Sequence, residues 1–255
     1  RPSASTRFEE WRLGLDPSAP ASDYAKLGYT KTDVLREEGV RMAAGKRAPE
    51  RYLQRAAETA RLLEADVFAP GRSPLQDVSE ELDSLSGVAC RQERCPETGR
   101  LFLPCVIRRM VPGGRPVEGN VHMDTVKPGR TVSLNMYFSV PDAGSPGGEV
   151  VLWPLQKGAI SRAVNSHFFS TVEVQNFYPG RTFYTDELLA SGRAGAPLTC
   201  TPAAGDVVLL DPAYPHCVRD FAAAEGTRRI SLQTFAQVSW VGPWYRRTLL
   251  LEYAV

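Results

Sequence analysis

The chain has 255 residues, 43% of them apolar, and a formal net charge of +1. This fits one large domain, or one domain with a helical extension, around a sizeable core. The near-neutral balance gives no sign of a nucleic-acid or membrane-surface footprint, and no run of about 18 apolar residues offers a membrane span.

In chain order, residues 1–86 read as a helical region and 87–255 as a β-rich core, together one compact domain. Residues 20–45 are expected to be helical in pieces, with Ser22 and Thr32 as N-caps. Residues 49–66 follow the helix opener Pro49 and place Tyr52, Leu53, Ala56, Ala60 and Leu63 on one stripe. A second helix over 73–85 starts at Ser73-Pro74 and puts Leu75, Val78, Leu82 and Leu85 on one face. From Gly87 the period changes, and Leu101–Val111 is a β-rich run. Over 131–140 the alternation is clean: Val132, Leu134, Met136, Phe138 and Val140 face one way, and Thr131, Ser133, Asn135, Tyr137 and Ser139 the other. That predicts a strand with one face in a core and the other toward something polar. Further strands are expected at 148–153, 159–164, 171–178, 206–210, 228–236 and 246–253, separated by turns such as Pro141–Gly148 and Pro202–Gly205. Many short strands between turn signals predict a sandwich or jelly roll.

Five cysteines, Cys90, Cys95, Cys105, Cys200 and Cys217, are odd in number and lack framework or zinc-site spacing. The N-terminus lacks a signal peptide's charged-then-apolar order. A reducing, cytoplasmic setting is expected. The arginine pairs at 108–109, 228–229 and 246–247 read first as solvated or salt-bridged groups.

One constellation carries chemistry. His122-x-Asp124 is followed, far along the chain, by His216 and then by Arg229-x-Ser231. The chain holds three histidines, and two fall in this pattern. Residues i and i+2 of a strand point to one side, so His122 and Asp124 can reach one ion, and a rolled double sheet can bring His216 to it. Two histidines and a carboxylate form the facial set that holds non-haem Fe(II) and leaves positions open. An arginine supplies a permanent planar cation for a carboxylate. Together they imply a chelating acid cosubstrate and O2. His167, in Asn165-Ser166-His167-Phe168-Phe169, has no such context and reads as structural or surface. Cys217 alternates away from His216 and reads as core.

Residues from about 105 to 236 resemble the Fe(II)/2-oxoglutarate-dependent oxygenase superfamily, in its prolyl-hydroxylase-like, small-molecule branch. Gly119–Asp124, reached through Pro112-Gly113-Gly114, resembles that family's His-x-Asp segment. Arg130–Ser139 resembles its tyrosine-bearing strand, and Gly147–Pro154 the Gly-Gly strand after it. Gly205–Asp211 with Pro215–Val218 resembles the approach to the distal histidine, and Gly226–Leu232 the Gly-x-Arg-x-Ser strand.

The resemblance implies a double-stranded β-helix, or jelly roll, with N-terminal helices packed on one sheet. It implies His122, Asp124 and His216 as ligands of Fe(II). It implies 2-oxoglutarate as cosubstrate, its distal carboxylate held by Arg229, Ser231 and Tyr137. Arg228 has the Gly-Thr-Arg phase and competes for the clamp, but Arg229 shares its face with Ser231 and Gln233. Met110 stands where many relatives carry a tyrosine. Halogenating relatives have a small residue in place of the carboxylate. Retention of Asp124 favours hydroxylation, desaturation or oxidative cyclisation of an unactivated C–H bond. A free small molecule is the expected substrate, with no nucleic-acid or membrane partner. Two rival readings are a cupin-like binding protein and a Zn-dependent hydrolase or lyase on the same barrel.

Overall fold

A computed structural model of the chain describes residues 9–12, 21–27, 50–68, 72–110, 112, 121–124, 131–141, 145–154, 174–178, 181–184, 192, 194–222, 227–241 and 248–254. The chain is mostly β, with two mainly antiparallel sheets and few helices, an architecture compatible with a jelly roll. It divides into two compact units. One comprises residues 1–26, 108–131 and 135–232; the other comprises 27–107, 132–134 and 233–255. No helix among the described residues is long and apolar enough to cross a membrane.

In the second unit, helix α1 (Glu50–Leu62) begins after Pro49 and carries Glu50 in its first turn, where a carboxylate meets the exposed N–H groups. Tyr52, Leu53 and Ala56 form its buried stripe. The helix widens into a π-helical turn, Leu63–Val67. The Tyr52 hydroxyl is fully buried and accepts the Leu103 N–H at 3.0 Å, while the ring meets Phe102 edge-on at 5.8 Å. Helix α2 (Pro74–Ser86) is capped by Ser73, whose hydroxyl accepts the Leu75 N–H at 3.3 Å. It stops at Gly87, which adopts the left-handed φ of 64° that favours glycine. The expected apolar face is only partly used. Leu75 is buried, Val78 and Leu82 are half-buried, and Leu85 at the helix end is exposed. Buried Ser79 joins that face instead, its hydroxyl donating to the Leu75 carbonyl at 2.7 Å.

Strand β1 (Glu9–Arg12) pairs antiparallel with β2 (Ala21–Leu27). Ser22 therefore sits in a strand, where a helix cap was expected; the cross-strand ladder with β1 outweighs a weak local cap signal. Thr32 and the rest of the expected 28–45 helices lie outside the described residues. So do the strand expected over 159–164 and His167. Strand β3 (Ala89–Gln92) pairs in parallel with β14 (Thr248–Ala254), which pairs antiparallel with the C-terminal half of β13 (Arg229–Val241). Strand β4 (Val106–Met110) starts later than its apolar run suggests, after Pro104.

The first unit holds a six-stranded sheet ordered β10 (Leu198–Cys200), β7 (Val150–Leu152), β12 (His216–Val218), β5 (His122–Asp124), β9 (Arg181–Tyr184) and β8 (Val174–Tyr178). The pairings between these neighbours are antiparallel. In the other sheet β13 lies between β4 and β6 (Thr131–Ser139), and β6 also pairs with β11 (Val207–Leu210). The alternation in β6 is real, and both faces are buried at mid-strand. Thr131, Ser133 and Tyr137 are buried on the polar face and Leu134 and Met136 on the apolar face, which opens at half-buried Val132 and exposed Phe138. Polar partners on β13 make this burial tolerable: Ser133 accepts from Gln233 at 3.2 Å, and Tyr137 accepts from Arg229 at 3.1 Å.

Candidate metal centre

Strand register delivers the first two ligand candidates. β12 and β5 are antiparallel neighbours, and His216 stands directly opposite His122. Two positions on along β5, Asp124 falls on the same side of the strand as His122. The imidazoles of His122 and His216 lie 4.5 Å apart, tilted by 51°. One ligand atom from each of His122, Asp124 and His216 lies within 4.8 Å of the others. Facial nitrogen and oxygen ligands about 2.1 Å from an ion stand roughly 3 Å apart. The three donors are near enough to close on one ion by side-chain rotation.

Burial and hydrogen bonding prepare these groups. His122 is 1% exposed and His216 9% exposed, while Asp124 is half-buried. The Nδ1 of His216 lies 2.8 Å from the Tyr214 carbonyl. A carbonyl can only accept, so in the neutral ring Nδ1 carries the hydrogen and Nε2 keeps its lone pair, the form in which imidazole binds a metal. The Asp124 backbone N–H donates to the Pro212 carbonyl at 2.9 Å. Two imidazoles and one carboxylate carry a single formal negative charge, which suits a divalent first-row ion better than Mg²⁺ or Ca²⁺, both of which prefer all-oxygen sets.

A second polar group lies in the same unit. Arg229 is 3% exposed, whereas its neighbour Arg228 is exposed. Arg229 donates from Nη2 to the Tyr137 hydroxyl at 3.1 Å, and its guanidinium carbon lies 4.8 Å from the centre of that ring. Its Nη1 lies 3.3 Å from the Met110 sulfur. The position noted for lacking the usual tyrosine thus still touches the arginine, through a soft and weak acceptor. Burial raises the Tyr137 phenol pKa, with Arg229 pulling the other way. The phenol keeps its hydrogen at neutral pH, and an oxygen that accepts from Arg229 leaves that hydrogen available to donate. Ser231 is 2% exposed on the strand that carries Arg229.

The structure thus brings His122, Asp124 and His216 together, and it brings Arg229 to Tyr137. The contributions of Tyr214 and Pro212 were not legible in the chain, because both act through backbone carbonyls, which any residue supplies. Cys217 is buried beside His216. Among the described residues no cysteine forms a disulfide.

No family model and no curated protein matches the chain. Among solved structures it is similar to an N-substituted L-amino acid dioxygenase from Burkholderia ambifaria AMMD. That match has 14% identity and a TM-score of 0.45, and covers 88% of this chain and 76% of that one. It is also similar to HygX from Streptomyces hygroscopicus, solved with nickel and 2-oxoglutarate bound. There the identity is 15% and the TM-score 0.33, over 84% of this chain and 82% of that one. What the chain can do rests on the donor geometry given above.

Proposed function

We propose that this chain is an Fe(II)- and 2-oxoglutarate-dependent oxygenase on a double-stranded β-helix, acting on an unactivated C–H bond of a small molecule. The observation that carries the reading is the convergence of His122, Asp124 and His216, with the His216 Nδ1 held at the Tyr214 carbonyl. The buried Arg229–Tyr137 pair in the same unit supports the cosubstrate assignment. A Zn-dependent hydrolase or a cupin-like binding protein has no use for that pair.

In this reading His122, Asp124 and His216 would hold the metal. Fe(II), when bound, supplies open coordination positions and the redox chemistry that O2 requires. Arg229 neutralises the distal carboxylate of 2-oxoglutarate. Tyr137 and Ser231 add hydroxyl hydrogen bonds to it, so the acid enters in one orientation. An Asp124 carboxylate bound to the metal would leave no place for a halide, which favours hydroxylation, desaturation or ring closure over halogenation. The odd, unpatterned set of cysteines supports a reducing, cytoplasmic setting.

Stripping the protein of metal and reloading it anaerobically tests the assignment. On admission of O2, the Fe(II) form is expected to convert 2-oxoglutarate slowly to succinate even without the prime substrate. The Zn form and His216→Ala are expected to be silent. Succinate formation that ignores both the metal and His216 would remove the reading.

A further inference from the structure

Two of the three ligand candidates hang on one short turn. Residues 211–215 link β11 to β12. Within this turn the Pro212 carbonyl accepts the Asp124 N–H at 2.9 Å, and the Tyr214 carbonyl lies 2.8 Å from the His216 Nδ1. One carbonyl thus reaches a ligand on β5, and the other a ligand on β12. The register between those two strands is a single pair, His216 opposite His122, so the ladder itself gives little further restraint.

The turn has its own lock. The Ala213 N–H donates to the Asp211 carboxylate at 2.9 Å, and the Tyr214 N–H donates to the Asp211 carbonyl at 3.2 Å. A side-chain oxygen that binds the N–H two residues on is the device by which aspartate fixes a turn. Pro212 removes one backbone freedom, and both Pro212 and Ala213 are buried. Asp211 itself is half-buried.

We infer that Asp211 is a positioning residue for the metal centre: its carboxylate locks the turn whose two carbonyls set Asp124 and His216. The inference rests on the metal-centre reading above. Without the lock the Tyr214 carbonyl turns away from Nδ1, and the His216 ring is free to rotate and to change tautomer. The Pro212 carbonyl loosens its hold on β5 at the same time. Ligands that must be ordered by the ion bind it less tightly, and partners behind metal ligands are worth about 10–100-fold in affinity. Asparagine keeps the accepting oxygen and loses only the charge, so it separates the hydrogen bond from simple attraction of a cation.

Co(II), whose visible bands report ligand geometry, is the probe. It is titrated into the metal-free full chain, the wild type beside Asp211→Ala, Asp211→Asn, Asp211→Gln and His216→Ala. Urea unfolding of each metal-free form is recorded in parallel. Asp211→Ala is expected to weaken Co(II) binding about 10–100-fold and to alter the bands, with little change in the metal-free midpoint. Asp211→Asn is expected to bind as the wild type does. Asp211→Gln, which moves the oxygen by one methylene, is expected to resemble alanine and stands in if alanine does not fold. Wild-type affinity in both Asp211→Ala and Asp211→Gln overturns the inference. So does a defect in Asp211→Asn as large as in alanine, or an affinity loss that merely tracks a loss of metal-free stability. Binding by the wild type that survives in His216→Ala overturns the metal-centre reading itself, and the inference with it.

Discussion

His216 shows how one hydrogen bond decides what a side chain can do. With Nδ1 tied to the Tyr214 carbonyl, only Nε2 remains to meet an ion. His122→Ala or His216→Ala should therefore abolish Fe(II) binding while the circular dichroism of the fold persists, because two donors do not retain a labile ion. Metal-loaded activity in either purified variant would contradict this. For the cosubstrate, Arg229→Ala should raise the 2-oxoglutarate requirement steeply, by about 2–5 kcal/mol for loss of a buried charged partner. Arg228→Ala should do much less. Steady-state kinetics on the two variants compares them, and a reversed order would place the clamp one residue earlier. At this scale strand parity was informative: it put Arg229 with Ser231 and Gln233 and apart from Arg228. In the structure those three are buried and Arg228 is exposed. The supporting carbonyls were not readable, since backbone groups leave no mark in a sequence.

Among the elements, the helices and long strands were legible where periodicity or caps were strong. Ser73-Pro74 and Gly87 bracket α2, and the stripe through Tyr52, Leu53 and Ala56 marks α1. Leu85 fits the periodic pattern yet is exposed, because periodicity does not tell how far along a helix its neighbour reaches. The strand at Ala21–Leu27 was misread as helix for a related reason: its partner, β1, supplies a ladder that local residues do not announce. The polar face of β6 was read as facing something polar, and that polar environment proved to be buried side chains of β13. Two substitutions test how elements are tied. Tyr52→Phe leaves the buried Leu103 N–H without its acceptor and should cost about 1–3 kcal/mol in denaturant unfolding; an unchanged midpoint would contradict that tie. Gly147 has φ 100°, and a Cβ there would stand 1.9 Å from the Asp220 carbonyl oxygen. Gly147→Ala should therefore cost at least the roughly 1–3 kcal/mol of a strained backbone, with further loss from overlap, read in the same experiment.

For the molecule as a whole, the decisive feature is that a six-stranded sheet makes neighbours of β5 and β12, segments far apart in the chain. Spacing alone could not show that adjacency; only the resemblance of several successive motifs implied it. Retention of Asp124 sets the expected outcome. The wild type should oxygenate, desaturate or cyclise its substrate in high chloride without chlorinating it, and Asp124→Gly should lose most turnover. Chlorinated product from the unmodified chain, sought by mass spectrometry, would take Asp124 off the metal. The most direct test of the central claim is an anaerobic titration of 2-oxoglutarate into the Fe(II)-loaded protein, followed in the visible region. A weak charge-transfer band is expected to grow and saturate, to be absent in His216→Ala, and to need far more 2-oxoglutarate in Arg229→Ala. A wild-type protein that binds Fe(II) through these residues yet never develops the band would contradict the account.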